Sequence, residues 1–503
     1  MLKLKRLNLN ERETQPSLPF FVDSARPDMC DVSRCDAGLT VPLPKFPARI
    51  DDSVAPHYQT PAAMLNSFFW ILTGSIVTLA AMQLLFIAWY RNILQRPNEA
   101  QFDSDPSLAQ SSSTASPEVA IALCLRGPDP TLPECLTGLL NQHYSNFNLH
   151  LIVDSDCDPA IPLAKQALKS IASPVDVRWH TVTDHNRNRS LKCSALLTVI
   201  QTLKSQEQPP EIIALVDADA LVAPDWLNRL VTPLLDTNAP ANKAMAASTI
   251  GATTGNRWFE PTSNNLGSRF RAAWNAAAVP QMQIYRVAWG GSLALKLATI
   301  EQCDLLKRWS QAFCEDTMLS DALQANGLHV YRVPELIVVN QESTTLKSAL
   351  GWIGRQLLTV RLHHRVWPLI LLHAILGGFC FFTPLVLVMI TAIQDSPLAI
   401  WTTLIWLVQL SLNVVVLSYI RKLNLNAIQK TTVPTPGAGG LWSKLTVAIA
   451  LQATYPFLAI GAAFRQRTRW RGIEYRISRQ GKIEMLDYVP YSLVNQADQH
   501  SIH

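Results

Sequence analysis

The stretch EIIALVDADALVAPDW, Glu211–Trp226, decides how the chain folds. Five apolar residues run from Ile212 to Val216, and two carboxylates, Asp217 and Asp219, follow at once. A continuous apolar run of this length is typical of a strand buried on both faces of a parallel sheet. Two carboxylates this close raise each other's pKa unless a cation or open solvent lies between them. The stretch therefore predicts either a metal-binding loop or an exposed acidic turn.

The sequence on either side alternates between strands and helices. Short apolar segments such as VAIALCL, LHLIV and VDVRWHTV alternate with helical segments such as IPLAKQALKSIA and SLKCSALLTVIQTLK. This alternation predicts an α/β fold with a mostly parallel sheet and helices on both faces. Ligands bind such sheets at the carboxyl ends of the strands. The segment DSDCD, with Asp154 and Asp156, follows one strand as DADA follows another, so both clusters belong on one edge.

Charged residues are distributed unevenly along the 503 residues. They make up 16% of the chain, against a usual share of about 25%. Three stretches lack Asp, Glu, Lys and Arg altogether: Met64–Tyr90, Val366–Gln394 and Ser396–Ile420. Each exceeds the roughly 20 residues that an α-helix needs to cross a bilayer. A fourth, Leu445–Phe464, is interrupted by polar residues and a proline, so it is as compatible with a re-entrant or interfacial helix as with a crossing.

The basic residues indicate the orientation of these stretches. They lie at the ends of the uncharged segments, whereas the short QDSP turn carries an acid and no base. By the positive-inside tendency the basic ends face the cytoplasm. We therefore expect a multi-pass protein of a bacterial plasma membrane, with its large soluble domain in the cytoplasm. The net charge of only +5, located in this way, argues against nucleic-acid binding, and nine cysteines without a CxxC pair indicate no zinc site.

These observations predict ten segments. The first four are a disordered arm, a transmembrane helix, a flexible linker and the cytoplasmic α/β domain, over 1–62, 63–91, 92–117 and 118–350. An interfacial basic segment and two transmembrane helices follow, over 351–365, 366–394 and 396–420. The last three are a cytoplasmic loop, a transmembrane or re-entrant segment and a cytoplasmic tail, over 421–441, 442–464 and 465–503.

The acidic clusters have a functional and a plainer interpretation. Asp217 and Asp219 can bind Mg²⁺ or Mn²⁺, which in turn grips a diphosphate, or they form an acidic turn before a helix. Asp154 and Asp156 can accept hydrogen bonds from a nucleoside, or they form an Asx-turn.

Three further residues allow the same two interpretations. Lys192, near a helix N-terminus, can meet a phosphate, or it is a solvated surface charge. Glu315 and Asp316 precede a short helix and can cap it. Alternatively, a carboxylate there is a general base, which typically contributes about 10²–10⁴-fold in rate.

Taken in order, these motifs resemble family 2 glycosyltransferases, and more narrowly ceramide glucosyltransferases and the bacterial enzymes that glycosylate hopanoid lipids. The resemblance covers about residues 115–480. It depends on the acidic clusters, on Trp289-Gly-Gly-Ser292 and on an arginine-rich segment before paired membrane stretches. Its most specific parts are RGPDPTLPECLTGLLNQHY, CEDTMLSDAL and TRWRGIEYRIS.

The resemblance implies a GT-A fold and metal-dependent, inverting transfer of a hexose from a UDP-sugar to a lipid hydroxyl. Asp154 or Asp156 would hold the nucleoside, and Lys192 would contact the donor. Asp219, with help from Asp217, would hold Mg²⁺ or Mn²⁺ on the diphosphate. Asp316 would be the general base. The residues on the acceptor side would be Gly290, Gly291, Ser292, Glu315, Arg355 and Arg361.

One family motif is absent. The Q/R-x-x-R-W expected near the membrane is replaced by RQLLTVRLHHR, in which Arg355 fits the first position but Leu358 and Thr359 stand where Arg and Trp are expected. Arg361 would substitute from a different register, or the segment is a membrane-surface anchor. Two alternatives therefore stay open: a processive polysaccharide synthase, and a membrane-anchored nucleotide-sugar-binding protein that has lost catalysis.

Overall fold

The computed structural model describes residues 61–95, 116–235, 250–394, 397–428 and 440–491. The predicted disordered arm (except its last two residues) and most of the predicted linker lie outside these ranges, as does the end of the predicted tail.

Seven strands form one sheet. They are β1 Val119–Leu125, β2 Phe147–Val153, β3 Val177–Thr181, β4 Ile212–Val216, β5 Ile250–Phe259, β6 Ser292–Lys296 and β7 His329–Asn340. Their order is β3-β2-β1-β4-β6-β5-β7. Only β6 runs antiparallel to its neighbours in this sheet. The structure therefore confirms the predicted mostly parallel α/β sheet.

Helices cover both faces of this sheet. They are α2 Leu132–Leu140, α3 Ala160–Ser170, α4 Leu191–Lys204, α5 Trp226–Leu235, α6 Leu266–Tyr285, α7 Leu297–Gln302, α8 Leu305–Trp309 and α9 Leu319–Gln324. Side chains of β1 alternate between two buried clusters: Ile121 and Leu123 pack with α2, α3 and α5, whereas Ala120 and Ala122 pack with α4. Burial on both faces explains why the strands read as continuous apolar runs.

The register brings three strand ends to one edge. Leu125 of β1 lies opposite Val153 of β2, and Leu123 of β1 lies opposite Val216 of β4. The residues that follow these strands therefore leave the sheet side by side, as the sequence predicts for the two acidic clusters.

Five further helices precede or follow this domain. They are α1 Pro61–Gln95, α10 Leu346–His363, α11 Trp367–Ile393, α12 Leu398–Ile428 and α13 Leu441–Phe464. All but α10 are long and apolar enough to cross a membrane. The predicted loop over 421–441 is wrong in its first eight residues, because α12 continues to Ile428. Ile420 and Ile428 pack against Trp258 and Val339 of the sheet, which extends the helix beyond the uncharged stretch.

Both ends of α13 contact helices outside the candidate membrane spans, α6 at the start and α10 at the end. Ser443 near its start contacts Arg269 of α6. The carbonyl oxygens of Ala462 and Ala463 near its end accept hydrogen bonds from Arg361 of α10 at 2.8 and 2.7 Å. A helix crossing a bilayer separates its ends by the full membrane thickness. This arrangement therefore favours the interfacial alternative for α13 over a crossing.

The predicted tail is a folded part of the α/β domain. Strands β8 Arg467–Trp470, β9 Ile473–Ile477 and β10 Ile483–Met485 form a second, antiparallel sheet. Ile473 and Tyr475 are buried in the same cluster as α4. Arg471 and Gly472 connect β8 to β9 with φ of 47° and 80°, as a two-residue hairpin turn requires.

Candidate active site

A cavity of about 180 Å³ opens where the strands end. Its lining combines both signs of charge. The acidic side chains are Asp129, Asp154, Asp217, Asp219, Glu315, Asp316 and Glu342, and the basic ones are Arg126, Lys192, Arg257, Arg271, Arg355 and Arg471. Such a concentration of ionisable groups in one cavity is typical of a site that binds a charged ligand.

Asp217 is held by two cations of the protein itself. Lys192 Nζ lies 2.8 Å from Oδ1, and Arg257 Nη2 lies 2.6 Å from Oδ2. Burial raises the pKa of Asp217, but Lys192 and Arg257 outweigh it and hold the pKa well below its usual range. The two acids of the opening stretch therefore tolerate each other, in the first place, because these bases neutralise one of them.

The negative charge of Asp219 is less neutralised by nearby cations than that of Asp217. Asp219 Oδ2 accepts a hydrogen bond from Asn340 Nδ2 at 2.5 Å. Burial raises its pKa; Arg257 opposes this, while Asp217, Asp129 and Glu342 raise the pKa further. A site with this excess of negative charge fits a divalent cation, which prefers carboxylate oxygens.

The protein supplies only part of a metal shell. Within the described ranges no three His, Cys, Asp or Glu side chains are grouped so as to hold a metal ion. A cation on Asp219 would therefore take its other ligands from phosphate and water oxygens, which is the usual arrangement for Mg²⁺ on a nucleotide.

Lys192 joins Asp217 to a second, buried carboxylate. Its Nζ lies 2.6 Å from Glu315 Oε1, and the Glu315 side chain is 1% exposed. Burial raises the pKa of Glu315, Lys192 opposes this, and Asp316 adds to it. Lys192, which the sequence analysis assigned to the donor, lines the cavity, and its ammonium group is engaged by two carboxylates.

Asp316 is fixed and partly open to the cavity. Its Oδ2 accepts a hydrogen bond from the backbone N–H of Gly290 at 2.7 Å. Its Oδ1 accepts from the hydroxyl of Thr317 at 2.8 Å and from the thiol of Cys314 at 2.7 Å. These donors set the direction of the carboxylate, which a general base requires.

Gly290 and Gly291 allow the close packing of the carboxylates. A Cβ at Gly290 would lie 2.0 Å from Glu315 Oε1, and one at Gly291 would lie 2.4 Å from Asp217 Oδ2. Ser292, in contrast, is buried in β6, where its hydroxyl accepts a hydrogen bond from Trp226 Nε1 at 2.9 Å. Ser292 therefore does not line the cavity.

The two carboxylates of the first acidic cluster, Asp154 and Asp156, lie in different surroundings. Asp154 is buried, forms an ion pair with Arg126 and lines the cavity. Asp156 lies outside the cavity lining, where its Oδ1 accepts a hydrogen bond from Thr181 at 2.6 Å. Of the two alternatives that the sequence leaves for nucleoside binding, the geometry therefore favours Asp154.

Of the two arginines of α10 that the sequence analysis assigned to the acceptor side, Arg355 lines the cavity and Arg361 does not. The Arg355 guanidinium lies 5.6 Å from the centre of the Trp470 ring. Burial, together with repulsion from Arg471 and Arg257, lowers its pKa to about 10. Arg361 instead binds the last carbonyls of α13, and it lies outside the cavity lining. Leu358 is fully buried, which is a packing role.

A family model matches most of the chain. The model described as glycosyl transferase family 21 matches residues 75–483. The chain belongs to this family. It is therefore a glycosyltransferase acting on a nucleotide-sugar donor, and the match confirms the narrower resemblance, to ceramide glucosyltransferases.

Solved structures with low sequence identity are also similar to this family 21 glycosyltransferase. The mannosyltransferase PcManGT from Pyrobaculum calidifontis, in complex with GDP-Man and Mn²⁺, is 16% identical; the match covers 78% of this chain and 97% of that chain, with a TM-score of 0.39. Glucosyl-3-phosphoglycerate synthase of M. tuberculosis is 14% identical, over 49% of this chain and 80% of that chain, with a TM-score of 0.31. Comparison with curated proteins gives no significant match.

Sequence reasoning missed several cations of the glycosyltransferase site. Arg257 comes from β5, Arg271 from α6 and Arg471 from the β8–β9 turn. Arg471 Nη2 lies 3.2 Å from Asp129 Oδ2. Burial lowers the pKa of Arg471, but Asp129 and Asp219 outweigh it and raise the pKa above its usual value. The Arg-Gly pair between two alternating segments could have indicated the turn, although not what the turn contacts.

Gly290→Ala is expected to lower both stability and activity. The added methyl group overlaps Glu315 Oε1, so either Glu315 moves away from Lys192 or the Gly290 backbone moves away from Asp316. Overpacking of this kind typically costs about 1–3 kcal/mol. The measurements are thermal unfolding in detergent and the initial rate of sugar transfer.

Gly351→Ala is the control for this substitution, since a Cβ at Gly351 in α10 meets nothing within 4 Å. It is expected to be neutral or slightly stabilising, because Ala favours helix over Gly. Equal behaviour of the two variants would show that the close approach at Gly290 does not constrain the site.

Proposed function

We propose that the protein transfers a hexose from a UDP-sugar to a hydroxyl of a membrane lipid, with inversion, and that Asp316 is the general base. One observation supports the proposal most directly: Asp316 and Asp219 line the same cavity. The carboxylate of Asp316 is held in place by the N–H of Gly290, and the negative charge of Asp219 is less neutralised by nearby cations than that of Asp217. A base for an acceptor and an anchor for a donor thus belong to a single site.

The position of the cavity supports a lipid acceptor. Trp352 and Arg355 line the cavity from α10. Helix α10 ends at His363, and the apolar helix α11 begins at Trp367. The cavity is therefore bordered by a helix that leads directly into a candidate membrane span, and a headgroup at the membrane surface would lie close to Asp316.

The donor would occupy the side of the cavity nearer the sheet. Asp154 Oδ1 is buried and has no hydrogen-bond partner among the described residues, so it is available to a nucleoside donor group. Arg355 likewise has no carboxylate partner in the described ranges, and it lies in the field of Arg257 and Arg471. Buried guanidinium groups that repel one another are stabilised by a diphosphate.

The residues present fit a divalent metal, with Asp219 as its carboxylate ligand. When bound, Mg²⁺ or Mn²⁺ would neutralise charge on the diphosphate and so stabilise the departing nucleotide. Asp316 would accept the proton of the attacking hydroxyl as the bond to the sugar forms. The hydrogen bonds from Gly290 and Thr317 would keep its carboxylate aimed at that hydroxyl.

The test of this proposal uses membranes that contain the wild type or Asp316→Asn. They are offered labelled UDP-sugars with Mg²⁺ or Mn²⁺, and label is counted in the organic-solvent extract. Label in the wild-type extract alone supports lipid glycosylation and identifies the sugar. Label in a long polymer would instead support a polysaccharide synthase, and bound UDP without transfer would support a binding protein.

Asp219→Ala is expected to abolish the metal-dependent part of nucleotide binding. Loss of outer-shell partners alone costs about 10–100-fold in metal affinity, so removal of the ligand itself should cost at least that much. The measurement is UDP affinity with and without Mn²⁺, using Asp225→Ala as a control on the same loop, where Asp225 pairs with Arg229 at the surface. Unchanged metal dependence in Asp219→Ala would show that Asp217-Ala-Asp219 is an acidic turn and not a metal-binding motif.

A further inference from the structure

A second cavity of about 540 Å³ lies between α6, α12 and α13. It shares only Phe259 with the lining of the active-site cavity, so it is a separate compartment. Its size is within the range of about 300–1,000 Å³ that is usual for small-molecule sites.

The lining of this cavity is apolar on one side and basic on the other. Val414 and Leu417 of α12 and Val447 of α13 form part of the apolar side. The basic side chains are Arg269, Arg421, Lys422 and Lys444, and the lining contains a single carboxylate, Glu260. A lining divided in this way matches a molecule that has an anionic head and apolar chains.

The cavity lies where the membrane helices meet the α/β domain. Arg421 and Lys422 belong to the last turns of α12, and Lys444 belongs to the first turn of α13. Next to the cavity, Trp442 is 82% exposed, and exposed tryptophans are enriched at the membrane–water boundary. The basic side of the cavity therefore faces the level of lipid headgroups.

Of the four basic side chains in the cavity, the described residues neutralise only Arg421. Glu260 pairs with Arg421. Lys422 and Lys444 form no ion pair with any residue that the structure describes, and within the same ranges the Arg269 guanidinium donates its hydrogen bond to the neutral Ser443. The Nε of Arg269 is buried and has no hydrogen-bond partner in the described part of the chain. A buried N–H donor without a partner, next to basic side chains at the level of the lipid headgroups, indicates a binding site for an anion.

We propose that this cavity binds the phosphate headgroup of an anionic phospholipid, with its acyl chains along α12 and α13. Basic pockets between membrane helices at the headgroup level are a recurring site for such lipids. The inference does not depend on the proposed sugar transfer, since no cavity residue other than Phe259 belongs to the active site.

Phe259 connects lipid binding with the active site. Its ring packs edge-on against Trp352 at 5.3 Å between centroids, and the Arg271 guanidinium lies 4.2 Å from its centre. Trp352 and Arg271 line the active-site cavity. A lipid in this cavity would therefore lie against the same ring that packs on Trp352 and Arg271.

The experiment measures lipid binding to the full chain in detergent. Phosphatidylglycerol or phosphatidylcholine is titrated, retained lipid is counted by native mass spectrometry, and the melting temperature is recorded. Phosphatidylglycerol is expected to bind the wild type preferentially and to raise its melting temperature. In Lys422→Gln/Lys444→Gln we expect binding of phosphatidylglycerol to weaken about 30-fold.

The control removes two exposed charges elsewhere, in Lys307→Gln/Lys482→Gln, which should bind phosphatidylglycerol as the wild type does. If the glutamine variant fails to fold, Lys422→Arg/Lys444→Arg, which keeps the charge, should retain the preference. Equal binding of both lipids by the wild type would overturn the proposal. So would the same increase in melting temperature with inorganic phosphate alone, because the ligand would then be free phosphate.

Discussion

Replacing Asp316 with Asn is expected to reduce sugar transfer by about 10²–10⁴-fold, the usual contribution of general-base catalysis, while UDP still binds. Asn keeps the shape of the side chain, and its amide oxygen can still accept the hydrogen bond from Gly290 N–H that Asp316 accepts at 2.7 Å. It cannot take a proton from an attacking hydroxyl. The substitution therefore separates proton transfer from the architecture of the site.

The rate of transfer and the affinity for UDP must be measured on the same preparation. Asp321→Asn is a matched control, because Asp321 pairs with the exposed Arg365 and lies outside the cavity lining. It should transfer sugar at the wild-type rate. A normal rate in Asp316→Asn would remove Asp316 from the role of base, and lost UDP affinity would show that Asp316 also holds the donor.

The second large effect is on stability. Lys192→Met is expected to destabilise the fold by about 3–5 kcal/mol, the usual cost of leaving one partner of a buried ion pair uncompensated. Lys192 contacts both Asp217 and Glu315. Without it, Glu315 is a buried carboxylate beside Asp316, whereas Asp217 keeps Arg257.

The loss in Lys192→Met should depend on pH with a definite sign. Burial raises the pKa of Glu315 in the folded state, and the loss of Lys192 removes the group that opposes this. The folded variant then binds a proton that the unfolded chain releases above its pKa of about 4.3. The pKa of Glu315 is already raised in the folded wild type, and it should be raised further in the variant. Stability of the variant relative to wild type should therefore fall as the pH rises from the wild-type pKa of Glu315 towards the higher pKa in the variant.

Chemical denaturation in detergent at several pH values measures this effect. Lys192→Met/Glu315→Gln should recover much of the loss, because the uncompensated charge is gone. Lys204→Met is the matched control, since Lys204 pairs with Glu301 at the surface, where such pairs contribute about 0–1 kcal/mol. Equal losses at Lys192 and Lys204 would contradict the view that the buried pair is important.

Local sequence patterns predicted the strands β1 to β4 of the central sheet and most of the helices, whereas β5, β6 and β7 were not predicted. The five apolar residues of β4 and the alternation around them follow from burial on both faces of a parallel sheet. The uncharged stretches identify α1, α11 and α12 because a bilayer excludes charge over a known length. Their ends were less well predicted, since packing against the sheet extends α12 beyond the uncharged stretch.

The sequence also identified part of the site. Asp154, Asp217 and Asp219 follow strands that end on one edge, and their meeting at one cavity follows from strand direction alone. Asp316 and Glu315 also line that cavity, although only the family resemblance had indicated it. The predicted site residues Asp156, Gly290, Gly291, Ser292 and Arg361 lie outside the lining. For Asp156, Ser292 and Arg361 the reason is that side-chain direction depends on the contacts of each residue.

Tertiary structure alone decided which cations complete the site. Arg257, Arg271 and Arg471 come from a strand, a helix and a distant turn near the end of the chain, and no local pattern connects them. It also decided that Asp217 is neutralised by Lys192 and Arg257, and that α13 returns to the α/β domain. Sequence periodicity reports which face of an element is buried. Which distant charges share a cavity depends on how those faces pack together.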